Sequence, residues 1–230
     1  MTGTRSPARA DEVSRGADRA VHPAREPRTR RWAHTSLCVL DAVFSINADY
    51  DRHTAPTCRR YATWARLTPY LPAPDEQPLS SFVKDVQKTG VEAFSKQILR
   101  NRQRTRARQD APRKTEAALG YAEILASHGV NTLAEADALL ADADRLCSVE
   151  HALAAVPGHG SGARLSYLWM LVGADDRIKP DRMILRWLEG VLHRRVTPPE
   201  ATHLITTAAA QLACTPWELD HAIWKTQRTP

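Results

Sequence analysis

The sequence predicts an all-α protein, and three observations carry that prediction. Thr132/Glu135, Thr197/Glu200 and Thr215/Glu218 each place glutamate three positions after threonine. In that pairing the hydroxyl accepts from an orphan helix N–H while the carboxylate reaches back to the cap's own amide. Apolar residues also recur at helical spacing, as Ala118, Tyr121, Ala122 and Leu125 do at i, i+3, i+4 and i+7. No segment alternates apolar and polar residues between hairpin turns. The pattern fits roughly nine or ten helices without a solenoid repeat.

Taken in order, residues 1–31 are rich in Arg, Ala, Pro and Ser and poor in large apolar side chains. They cannot bury enough surface to offset ordering entropy, and the expectation is a disordered basic tail. From Trp32 the composition changes, and Leu37, Val39, Leu40, Val43, Phe44 and Ile46 supply a dense apolar helix. Pro69, Pro72, Pro74 and Pro78 separate a helix ending near Leu67 from one starting at Ser80 or Ser81. That helix is expected to run through Phe82–Leu99, followed by a polar connector, Arg100–Lys114, and a helix closed by Gly129. Pro198 and Pro216 fall at first helical positions, where a missing N–H is harmless.

Composition bounds the function. With 230 residues, 43% hydrophobic and 25% charged, the chain carries one large core or two small ones. Its longest apolar runs, Leu165–Gly173 and Leu204–Cys214, contain polar residues and fall short of the roughly 20 that span a bilayer. The N-terminus lacks the apolar stretch of a secretory signal, so a cytoplasmic protein is expected, nucleoid-associated if bacterial. Cys38, Cys58, Cys147 and Cys214 are far apart, with no C-x-x-C pair. They are expected to be buried small hydrophobes in a reducing compartment, and no metal site is read from them.

The net charge of +6 is unevenly spread. Lys96 to Lys114 holds eight basic residues against Asp110 alone, whereas Thr132 to Glu150 holds five acids and one Arg. A basic strip of this kind suits a polyanion, because neutralising phosphates releases counterions.

Val156-Pro157-Gly158-His159-Gly160-Ser161-Gly162-Ala163 lies between two helical segments. A Pro-Gly-x-Gly turn permits a tight hairpin, and the amides of the helix that follows can bind phosphate without a side chain. With its surroundings, the turn resembles the helix-hairpin-helix (HhH-GPD) DNA glycosylase superfamily, the base-excision enzymes typified by endonuclease III, over about Leu37 to Trp224. Ile178-Lys179-Pro180-Asp181-Arg182-Met183 stands where that family carries its catalytic aspartate, which gives Asp181. Pro112-Arg113-Lys114-Thr115-Glu116 is similar to the family's Lys-Ala-Glu helix start. Phe44-Ser45-Ile46-Asn47-Ala48 is similar to the element that feeds a polar wedge into DNA.

The resemblance implies two helical lobes with a cleft between them, lobe A from about 32–79 plus 175–230 and lobe B from about 80–174. It implies Asp181 as the catalytic residue, and Pro157, Gly158, His159, Gly160, Ser161, Gly162, Arg164, Asn47 and Lys114 as DNA contacts. His159 departs from the small apolar residue usual between the glycines. Gly162 stands where bifunctional members carry a lysine, and glycine cannot form a Schiff base, so a monofunctional enzyme is implied. Only Cys214 lies where four cluster cysteines would stand, so no iron–sulfur cluster or other cofactor is implied. The expected partner is double-stranded DNA, bound by a monomer. The alternative is a non-catalytic helix-hairpin-helix DNA-binding protein, and a third reading is a helical interaction domain.

Overall fold

A computed structural model describes residues 6–21, 31–159 and 162–228. The described residues form twelve α-helices and two π-helical turns, with no β-sheet. The chain divides into two compact units, 30–173 and the combination of 1–29 with 174–230. Residues 32–79 therefore group with 80–173 and not, as expected, with the C-terminal helices.

The larger unit is built on α2 (Thr35–Phe44), all ten of whose residues are buried. It packs against α3 (Ala55–Trp64), α6 (Lys114–Ser127) and α9 (Ala163–Val172). Tyr61, Phe82 and Phe94 form an aromatic cluster with Trp64 at its edge, Tyr61 and Phe82 meeting edge-on at 5.1 Å. Glu76, from the proline-rich loop, accepts from the Thr35 amide at 3.0 Å and the Leu133 amide at 2.9 Å. One carboxylate thus satisfies orphan donors at the starts of α2 and of α7 (Leu133–Leu140).

The helix expected over Phe82–Leu99 is broken. α4 (Leu79–Thr89) ends at Gly90, whose φ of 80° is open to glycine without strain. The chain then resumes as the short α5 (Val91–Ala93) and a π turn, Phe94–Ile98. α6 ends ahead of Gly129, in the left-handed region at φ 76°. α8 (Ala143–Ala154) leads into the Pro157 turn and α9.

Within the expected disordered tail of residues 1–31, residues 6–21 are instead helical, while 1–5 and 22–30 lie outside the described residues. Ser6–Val21 form α1, which packs on α10 (Arg182–Leu192), α11 (Pro198–Gln211) and α12 (Pro216–Arg228). Ala10, Val13 and Ala17, spaced i, i+3 and i+7, are buried there. Their small size, and Gly16 facing Val191, let the helices approach closely. Ile184, Leu188, Leu204, Ile205, Leu219 and Ile223 complete this core. Both arms of the capping pair form at Thr132 and at Thr215. At α11 the Thr197 hydroxyl accepts from Glu200, while the Glu200 carboxylate turns to Arg194.

No helix among the described residues is long and apolar enough to cross a membrane. Cys38 and Cys58 are buried as expected, but Cys147 is exposed and Cys214 half-buried.

Candidate nucleic-acid interface and carboxylate site

The Pro157 turn is closed by the His159 amide donating to Val156 O at 3.1 Å. Val156 is buried, and Gly120 on α6 makes room for it, since a Cβ there would stand 3.2 Å from a Val156 methyl. Pro157 is exposed. Gly158 adopts φ 81°, and a Cβ there would lie 2.5–2.7 Å from three Thr105 side-chain atoms. Glycine is therefore required twice, by backbone conformation and by contact. Gly162 is the N-cap of α9 at φ 87° and supplies no side-chain cap. Gly160 and Ser161, expected as phosphate contacts, lie outside the described residues.

His159 turns inward, where its Nδ1 hydrogen-bonds the Tyr121 hydroxyl at 2.6 Å and its ring stacks on Tyr121. Burial, and secondarily the Arg164 charge, hold its pKa below the usual histidine value. Arg164, expected to meet DNA, is only 2% exposed. Its guanidinium lies over the Tyr121 ring, 5.5 Å from the centroid, and Nε and Nη1 have no hydrogen-bond partner. The aromatic face and the buried start of α9 hold it inside, where it packs beneath the turn.

Lys114 is likewise interior, and this too departs from its expected place on a DNA surface. Its ammonium donates to Phe44 O at 2.8 Å, Ile46 O at 2.6 Å and Gln103 Oε1 at 3.3 Å. It satisfies carbonyls at the C-terminal end of α2, where a cation also complements the helix dipole. Asn47 sits on the turn just beyond, exposed and left-handed at φ 52°. Asparagine tolerates that conformation better than most residues.

The segment expected as a plain connector doubles back as a ribbon of two arms joined by one isolated antiparallel bridge. Arg104 and Arg113 form an antiparallel bridge, Thr105 N donates to Pro112 O at 3.0 Å, and Lys114 N donates to Gln103 O at 2.9 Å. At its root the buried Asn101 donates to Thr57 Oγ1 and accepts from Gln103 N. Residues 106–110 form an exposed tip. Through Thr105 the basic strip and the glycine turn, some fifty residues apart in sequence, are packed together.

In the smaller unit, Asp181 is the N-cap of α10, its Oδ1 accepting from Met183 N at 2.8 Å. Its Oδ2 stands 3.7 Å from Lys179 Nζ, and the side chain keeps 23% exposure. Sequence reasoning missed the group behind it. Asp220, on α12, is buried and accepts from Lys179 N at 2.8 Å, holding the extended stretch that presents Asp181. Burial, and then the Asp181 charge, push its carboxyl up to about 7. His221, its neighbour, lies on a different face, stacked between Trp217 and Trp224. Among the described residues no three His, Cys, Asp or Glu converge to hold a metal.

A family model described as "Domain of unknown function (DUF8548)" matches residues 10–228. No curated protein and no solved structure matches the chain.

Proposed function

We propose that this chain, which belongs to the DUF8548 family, is a monofunctional DNA glycosylase that hydrolyses the N-glycosidic bond of an altered or modified base. The observation that carries the reading is the state of Asp181. One oxygen caps α10, while the other remains beside Lys179 on a partly exposed side chain. Along the chain, α8, the Pro157 turn, α9, an extended stretch and then this carboxylate follow in the order that the resemblance implies.

Breaking the bond between base and deoxyribose develops positive charge on the sugar. A fixed carboxylate stabilises that charge and orients the attacking water. The base must first leave the duplex stack at a cost of a few kcal/mol, least for a damaged or mismatched base. Asn47, exposed on its turn, is the proposed wedge that fills the vacated stack. Gly162 carries no amine, so the reaction ends at the abasic site and strand cleavage does not follow.

The test is a panel of duplexes, each with one altered base, treated with alkali after incubation. The expected result is strand breakage at one member that is lost in Asp181→Asn, with no borohydride-trapped protein–DNA adduct. A second reading, a non-catalytic DNA-binding protein, is favoured by the structural work Asp181 already does as a cap. It predicts salt-dependent duplex binding, unchanged or tightened by Asp181→Asn, and no abasic sites anywhere in the panel.

A further inference from the structure

We infer that the ribbon from Gln103 to Lys114, with Lys96 and Arg100 at its root, is a separate grip on the phosphate backbone of duplex nucleic acid. The inference deepens the proposed DNA reading by assigning a second element to the same partner, and it does not depend on base excision.

Most cations of the strip are committed within the fold. Arg102 and Arg113 both pair with Glu92, at 3.0 and 2.7 Å, and Arg108 pairs with Asp110 at 3.0 Å. Lys114 is buried on carbonyls, and Arg104 spends Nη1 on Ala111 O at 2.6 Å. Lys96, Arg100 and Arg106 are exposed, and no carboxylate among the described residues stands in ion-pair range of them. The bridge also sets Arg104 directly opposite Arg113. Arg113 is neutralised there by Glu92, so the two guanidinium groups do not stand as bare like charges and neither is left for a partner.

The strip is held in shape by hydrogen bonds of its own. The hydrogen bonds between Asn101 and Lys114 fix its two arms, and Thr105 seats it against Gly158. Its cations are therefore presented by an ordered element, which lowers the entropy lost on binding. The chemistry of the tip selects the partner. Arg106, Ala107, Arg108, Gln109 and Asp110 include no large apolar side chain. A protein partner would ordinarily require a buried aromatic or aliphatic anchor. A regularly charged phosphate backbone requires no such anchor.

The experiment measures binding of the full chain to an undamaged duplex by fluorescence anisotropy between 50 and 300 mM salt. In Lys96→Gln/Arg100→Gln/Arg106→Gln the slope of log K against log salt should fall by about 3, at roughly 0.9 per lost phosphate contact. Affinity at the lowest salt should drop roughly tenfold or more. Lys84→Gln/Lys88→Gln on α4 serves as the charge control and should keep the original slope. Circular dichroism checks that the exposed substitutions leave the helices intact. An unchanged slope in the ribbon variant, an equal fall in the control, or ribbon-dependent binding to phosphatidylserine vesicles in place of duplex would each overturn the inference. Ribbon-dependent duplex binding without excision of any base removes the glycosylase reading alone. Excision with a ribbon-independent slope removes this inference alone.

Discussion

Replacing Asp220 by Asn deletes a titration while keeping an oxygen that can accept from Lys179 N. In the folded chain, burial raises the Asp220 carboxyl from 3.8 to about 7, with the Asp181 charge adding to the shift. A carboxyl whose folded pKa lies above its unfolded value contributes stability that is fully present below pH 3.8. That contribution declines as pH rises and is gone above about pH 7, because the folded state then holds a buried charge. Between pH 5 and pH 8.5 the folded state gives up its proton about two pH units above the lower limit. At about 1.4 kcal/mol per unit, this costs the wild type roughly 3 kcal/mol relative to the variant. Asp220→Asn should therefore gain about 3 kcal/mol over the wild type across that interval, other groups being common to both. Urea denaturation at the two pH values reads the difference. A carbon-13 titration of aspartate carboxyls should lose a resonance with a midpoint near 7. Parallel pH–stability curves for the two proteins would refute the assignment, since a carboxyl already ionised at pH 5 has no such penalty.

Two further outcomes follow from the larger unit. Gly158→Ala forces a Cβ into Thr105 at positive φ, so it should destabilise the chain by about 1–3 kcal/mol and lower its urea midpoint. Adding Thr105→Ala removes two of the three clashing atoms and should restore part of the loss. Lys114→Met leaves the Phe44 and Ile46 carbonyls without their ammonium donor. It should cost about 3 kcal/mol in the same assay while leaving the salt dependence of duplex binding unchanged, because the buried charge meets no phosphate.

Features encoded within one turn of helix were legible in the sequence. The Thr132 and Thr215 caps depend on residues three apart, and both form reciprocal pairs. Pro198 and Pro216 begin their helices, as a fixed φ and a missing N–H require. Asp181 heads a helix, capping it through its own side chain. Misreadings arose where a pattern was carried by unusual residue types. α1 buries a stripe of Ala10, Val13 and Ala17, too small in side-chain volume to stand out from an Arg-rich composition. The ribbon alternates Arg102, Arg104, Arg106 and Arg108 with period two, but rules that follow apolar periodicity do not register a turn flanked by arginines.

The remaining features depended on long-range contact, and there residue type alone misleads. Lys114 and Arg164 carry the charges expected of phosphate contacts, yet both are interior. Each found a local sink for its charge, Lys114 in the carbonyls that end α2 and Arg164 in the face of Tyr121. Arg106 stands on the exposed tip, with no ion pair to it among the described residues. A cation's role is therefore decided by what the fold offers it first, and only those left without an internal acceptor are available to a partner. On that reasoning the glycine at 158 has a consequence for binding as well as for the turn. By admitting Thr105 it fixes the ribbon that carries the uncommitted arginines to the bend with which they would share a backbone.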